Sequence, residues 1–226
     1  MSLKNKLHEL FESIDVRYIE DLPKKGLKIG ISFGNNYITI ILDKSKINVV
    51  ENKLDNLDNE IITDEESLNH LLEGKLSLID LIIRGKLYIS GKLSNLLKLV
   101  DVFRAKSINL GFEGSSLYNV LKAVFEGICN KNEEILRQIK NFNATFQFSD
   151  FEGSTCCLII NEGKFVVKDG KCEGKPTASI SAKREVWNKI FNGEESVGTV
   201  AMNGEAKIEG NLIQAFKLKT IIDKIF

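Results

Sequence analysis

Residues 84–99 read RGKLYISGKLSNLLKL, and residues 203–218 read NGEAKIEGNLIQAFKL. The stretches lie 119 positions apart, and Gly74, Gly85 and Gly91 of the first map onto Gly193, Gly204 and Gly210 of the second. Without a gap, residues 73–99 and 192–218 agree at eight of twenty-seven positions: the three glycines, Ser77/Ser196, Ile89/Ile208, Leu93/Leu212, Lys98/Lys217 and Leu99/Leu218. Glycines and apolar residues kept in one register mark a repeated structural unit. A period near half of 226 residues is too long for a solenoid or propeller repeat but matches one small domain. Two similar domains are therefore expected, at residues 1–105 and 112–226, with a linker within 105–116.

The glycine spacing dictates local structure. Between Gly85 and Gly91 there is room for a five-residue strand, with Leu87 and Ile89 on one face and Lys86, Tyr88 and Ser90 on the other. The second copy keeps the pattern, with Ala206 and Ile208 against Glu205, Lys207 and Glu209. Gly74 and Gly85 stand where a left-handed residue closes a helix. After Gly91, the residues Leu93, Leu96, Leu97, Val100 and Phe103 follow the i, i+3, i+4, i+7 rule of an amphipathic helix.

Working outward, the first half opens with a helical stripe of Leu7, Leu10, Phe11 and Ile14 and a turn at Asp21-Leu22-Pro23. Alternation at Leu27, Ile29, Ile31 and Phe33, the turn Gly34-Asn35-Asn36, and the runs Tyr37–Leu42 and Ile47–Val50 predict a three-stranded meander. A short fourth strand is expected at Asn59–Ile62, followed by a helix opened by a capping box over Thr63–Glu66. The second half predicts two helical segments, Leu117–Ile128 and Glu133–Ile139, broken at residues 129–132. A strand alternating at Ala144, Phe146 and Phe148 follows, then strands at Thr155–Ile160, Phe165–Val167 and Thr177–Ser181. A helix over Lys183–Asn192 carries Val186, Trp187, Ile190 and Phe191 on one side, and a last helix spans Asn211–Phe226.

The bulk composition excludes several function classes. With 31 basic and 31 acidic side chains, balanced in each half, no surplus of positive charge drives counterion release from nucleic acid or attraction to anionic lipid. No apolar run has the length of a membrane helix, and the N-terminus lacks a signal-peptide core, so a cytoplasmic protein without an integral membrane segment is expected. The acid-rich stretch Glu51–Glu66 matches no calcium loop and reads as a solvated loop and helix start. Cys129, Cys156, Cys157 and Cys172 form no C-x-x-C pair and have no histidine nearby, the two histidines being His8 and His70. They read as reduced, partly buried thiols, with Cys156 and Cys157 on opposite faces of a strand. The G-x5-G-K-L at Gly85 departs from a phosphate-binding loop in its glycine spacing and has Leu93 where a magnesium-binding hydroxyl would stand. No other catalytic signature is present, so no enzymatic activity, cofactor or metal is expected.

The order helix, three-strand meander, fourth strand, helix, glycine, helical segment, glycine, short strand, glycine, helix resembles the sterol carrier protein 2 (SCP2) family. NATFQF at residues 143–148 looks like that family's first strand, and AMNGEAKIEGNLIQAFKL at residues 201–218 is similar to its closing signature. Residues 112–226 carry the resemblance well. Residues 1–105 carry it chiefly through the glycines and LLEGKL, with Ile83 where the family often has methionine and Leu96 where the second copy has Ala215.

The resemblance implies an α+β fold of two SCP2-like domains, each a five-stranded mixed or antiparallel sheet with helices on one face and an apolar tunnel between. It also implies non-catalytic binding or transfer of a fatty acid, acyl chain, sterol-like molecule or other lipid. The ligand-binding candidates are Trp187 and Phe191 on the helix before Gly193, Val200 and Met202 before Gly204, and Leu212, Ala215 and Phe216 on the last helix. Met202 stands out because a flexible, polarisable side chain accommodates varied ligands. If one tunnel alone is open, Ala215 in place of Leu96 assigns it to the second domain. Two alternatives stay open: a structural module with a filled tunnel that binds a protein partner, and an accessory protein that presents a lipid intermediate to an enzyme.

Overall fold

The computed structural model describes residues 2–14, 26–43, 46–97, 111, 114–191 and 194–223. The turn at Asp21–Pro23, the continuation of the helix through Val100 and Phe103, and most of the linker lie outside them. The chain divides into two compact units, Met1–Gly111 and Phe112–Phe226. Each contains a five-stranded mixed sheet with helices, an α+β architecture.

In the first unit the meander is formed by β1 (Leu27–Phe33), β2 (Asn36–Asp43) and β3 (Lys46–Val50). β4 (Asn59–Thr63) and β5 (Leu87–Gly91) complete the sheet in the order β3-β2-β1-β4-β5. β1 and β4 run parallel and every other pair is antiparallel. The alternation explains the register: Leu27, Ile29, Ile31 and Phe33 of β1 and Ile38, Ile40 and Leu42 of β2 are all buried on one face. Against the sheet stand α1 (Leu3–Glu12), α2 (Glu65–Leu72), α3 (Leu78–Ile83) and α4 (Leu93–Leu97).

The acid-rich stretch is absorbed by this architecture. The Asp58 carboxylate accepts from the Lys28 amide at 3.0 Å, and Glu60 accepts from Tyr37 Oη at 2.9 Å and pairs with Lys53 at 2.7 Å. Helix α2 begins one residue later than its expected box. Asp64, not Thr63, is the N-cap and accepts from the Ser67 amide, because Thr63 is the last residue of β4 and its hydroxyl donates to the Lys86 carbonyl. The reciprocal capping box lies instead at Ser77 and Asp80, at the start of α3.

The second unit repeats the sheet: β6 (Ala144–Asp150), β7 (Thr155–Asn161), β8 (Lys164–Asp169), β9 (Ala178–Ala182) and β10 (Ala206–Gly210). Their order, β10-β9-β6-β7-β8, and the parallel β6–β9 pair match the first unit strand for strand. The expected break in the leading helical region holds. α5 (Leu117–Leu121) continues as a π-helical stretch, Lys122–Ile128, and a 3-10 turn, Cys129–Lys131, before Asn132 caps α6 (Glu133–Ile139). This irregular stretch covers the edge strand β8: Asn130 bonds both the amide and the carbonyl of Phe165, and Glu126 accepts from the Val167 amide. α7 (Arg184–Phe191), α8 (Val197–Met202) and α9 (Leu212–Ile222) complete the unit.

One sequence expectation is corrected here. Cys157 and Cys172 form a disulfide, whereas Cys129 and Cys156 are buried free thiols. Strand alternation does separate Cys156 from Cys157, but Cys172 lies in the loop after β8 and folds back over β7 on the Cys157 side. Gln147 of the neighbouring strand holds that loop, accepting from the Cys172 amide at 2.7 Å while its Nε2 donates to the Cys156 carbonyl at 2.9 Å.

The closing glycines of the repeat set the sheet edge in both units. Gly91 pairs with Asn59 and Gly210 with Ala178, both in the left-handed region. A Cβ on Gly91 would meet the Asp58 carbonyl oxygen at 2.1 Å, and one on Gly210 the Thr177 carbonyl oxygen at 2.7 Å. Each glycine thus allows the last strand to lie close to its neighbour before the chain turns into the final helix.

Candidate functional site

α8, β9, β10 and α9 enclose an apolar groove of about 420 Å3 in the second unit. Its construction follows from the repeat. Ser196 caps α8 by accepting from the Thr199 amide, the turn at Asn203–Glu205 returns the chain as β10, and Asn211 caps α9 by accepting from the Gln214 amide. The period-two pattern of β10 directs Ala206 and Ile208 inward, beside Ile180 of β9.

The candidate binding residues divide into two groups. Met202, Leu212, Ala215 and Phe216 line the groove together. Ala215 is buried in its floor, while Met202, Leu212 and Phe216 are 90%, 51% and 60% exposed around it, next to Ile213 at 80%. Trp187, Phe191 and Val200 do not line it and are almost wholly buried. Trp187 stacks on Phe191 with ring centroids 5.9 Å apart, lies 5.7 Å from the Phe148 ring, and donates from Nε1 to the Ser149 carbonyl. That satisfied, closely packed aromatic cluster is core. Position in the repeat and the family resemblance marked all seven, and only their neighbours decide which of them meet open space.

Sequence reasoning missed Ile180, Val197, Gly198, Ala201, Leu218, Lys219 and Ile222 as lining residues, and read Ala206 and Ile208 only as one face of a strand. A signal for Gly198, Ala201 and Ala206 was present in the aligned copies. Where the second unit has Gly198, Ala201, Ala206 and Ala215, the first has Ile79, Ile82, Leu87 and Leu96.

The site is electrically quiet. Lys219, on the groove wall, pairs with Asp223 one turn on, and Lys207 pairs with Glu209 on β10. The stem of Lys219 runs across the space above Gly198, where an added Cβ would meet its Cε at 2.7 Å. The free thiols lie in the core: burial raises the Cys156 pKa to about 12 and also holds Cys129 well above the ordinary thiol range. Both stay protonated at neutral pH and are poor nucleophiles. Among the described residues no group of three or more His, Cys, Asp or Glu could hold a metal ion, and no helix is long and apolar enough to cross a membrane.

No curated protein sequence matches the chain. Several solved structures do. Sterol carrier protein 2 from Yarrowia lipolytica in its apo form is 18% identical, over 51% of this chain and 93% of its own, with a TM-score of 0.38. Palmitated SCP2L2 from Aedes aegypti is 20% identical, over 45% of this chain and 94% of its own, with a TM-score of 0.34. The sec-alkylsulfatase Pisa1 from a Pseudomonas species is 12% identical, over 47% of this chain, with a TM-score of 0.37; the match takes in 15% of that enzyme's length. The SCP-2 sterol transfer family matches residues 5–104 and again 121–223. Matched over both of its repeats, the chain belongs to the SCP-2 sterol transfer family.

Proposed function

We propose that the second unit binds the hydrocarbon part of a lipid in the groove between α8, β10 and α9, without covalent chemistry. The observation that carries this reading is the convergence of Met202, Leu212, Ala215 and Phe216 on one apolar groove of about 420 Å3, with three of the four left substantially exposed. Leaving such side chains in water forgoes about 25 cal/mol per Å2 of apolar surface that a ligand would cover. A methylene chain gains about 0.8 kcal/mol per CH2 buried, enough for tight binding without a polar recognition motif. The volume lies within the range of about 300 to 1,000 Å3 common for small-molecule sites. Membership of a sterol transfer family supports the same reading. The ligand classes it covers are fatty acids, acyl chains and sterol-like molecules.

The single tryptophan, Trp187, sits in the core of the second unit, so its emission follows the unfolding of that unit. A long-chain fatty acid, an acyl-CoA and a sterol are each added to detergent-free protein, and the thermal transition is followed by tryptophan fluorescence. A ligand bound only by the native state stabilises it by about 2.7 kcal/mol at a free concentration one hundred times Kd, so at least one probe raises the melting temperature by several degrees. A transition unmoved by all three contradicts the proposal.

A further inference from the structure

The geometry points to four side-chain differences between the copies as the determinant of ligand capacity: the second unit takes a ligand, and the corresponding place in the first is filled by its own side chains. The inference rests on the binding reading above.

At the offset of 119, Ile79, Ile82, Leu87 and Leu96 of the first unit stand where the second has Gly198, Ala201, Ala206 and Ala215, and all four of the latter line the groove. The first copy therefore carries four more carbon atoms at Ile79 and three more at each of the other positions. Those atoms are packed: Ile79 and Leu87 are 1% exposed, Leu96 4% and Ile82 5%.

Two identical pairs act as internal controls. Leu93 is 1% exposed and its equivalent Leu212 is 51% exposed. Ile89 is buried, whereas Ile208, in the same register of the equivalent strand, is half-buried. The same residue on the same element thus changes environment, so the cause lies in its surroundings. The sheet is not that cause, because strand order and the pairing of the last two strands are the same in both units. Side-chain volume differs at these places, and in the first unit Gly111 also stands against α3, where an added Cβ would meet that of Ile79 at 3.1 Å. A packed interior leaves few voids even as large as a water molecule, so filling this one with several aliphatic side chains removes it as a site.

The test counts bound molecules. Full-length protein is incubated with excess palmitic acid and examined by native mass spectrometry, beside A206L/A215L, which restores leucine at two positions, and the single variant A215L. Circular dichroism and Trp187 emission establish that each variant is folded. The inference expects one palmitate per wild-type chain, none on A206L/A215L, and at least tenfold weaker binding by A215L should the double variant not fold. Two palmitates on the wild type, one retained by folded A206L/A215L, or unchanged affinity in A215L overturns the inference while leaving lipid binding intact. Failure of the wild type to take up any palmitate overturns the inference and sets aside palmitate as a ligand of the groove; the thermal assay with acyl-CoA and sterol then decides the wider reading.

Discussion

The segment α3–β5–α4 of the first unit and the segment α8–β10–α9 of the second share a register and three landmark glycines, yet the inward side chains of the first are buried and several of the second stand exposed around a groove. In the first, Leu78, Ile79, Leu81 and Ile82 of α3 are all buried, and Ser77 and Asp80 cap the helix reciprocally. In the second, Val200 is the one buried residue of α8, and Met202 at its end is 90% exposed. Strand order is shared and the closing glycines Gly91 and Gly210 keep the same left-handed conformation, while the inward residues differ in size. One fold can therefore hold buried side chains in one copy and an apolar groove in the other.

The sharpest way to break this contrast uses the identical pair Leu93 and Leu212. Truncating a packed leucine costs about 2–5 kcal/mol, because it leaves a cavity. L93A is expected to destabilise the first unit by that amount. L212A removes a side chain already half in water and should change stability by no more than about 0.5 kcal/mol, while weakening lipid uptake. Denaturant unfolding, followed by tryptophan emission for the second unit and by site-resolved hydrogen exchange for the first, measures both. Equal costs would mean that the two environments do not differ as described.

A second difference sharpens the contrast through covalent chemistry. All four cysteines belong to the second unit, and Cys157–Cys172 closes a loop of 15 residues in sequence separation. A cross-link over a loop of that size stabilises by about 3 kcal/mol in the chain-entropy account. C157S/C172S should lower the stability of the second unit by up to that amount and leave the first unchanged. Thiol titration of denatured, unreduced protein should find two free thiols, Cys129 and Cys156; four would contradict the bond. The pairing also bears on the expectation of a cytoplasmic protein, since disulfides persist chiefly in oxidising compartments.

The sequence carried the fold more completely than the site, for reasons that specific residues make plain. Alternation at Leu27–Phe33 and at Ala144–Phe148 defines strands because a half-buried sheet has a period of two, and the structure places β1 and β6 there. Capping was legible only to within a residue: Thr63 and Asp64 are both good caps, and the strand pairing of Thr63 decides between them. The disulfide was not legible, because it depends on the loop around Cys172 folding back over β7, which linear spacing does not encode. In the site, position in the repeat and the family resemblance marked Trp187, Phe191 and Val200 as readily as Ala215. Burial against Phe148 and the sheet, rather than against open space, is a property of their neighbours. The more specific signal lay in the differences between the copies, where large residues give way to glycine and alanine.

The central claim, that the open copy holds the ligand, is tested most directly by hydrogen–deuterium exchange of the full chain with and without palmitic acid. Slower exchange confined to residues 197–222, with residues 78–97 unchanged, is the predicted result. Protection at residues 78–97, or no change in either segment under conditions where palmitate is shown to bind, would contradict it.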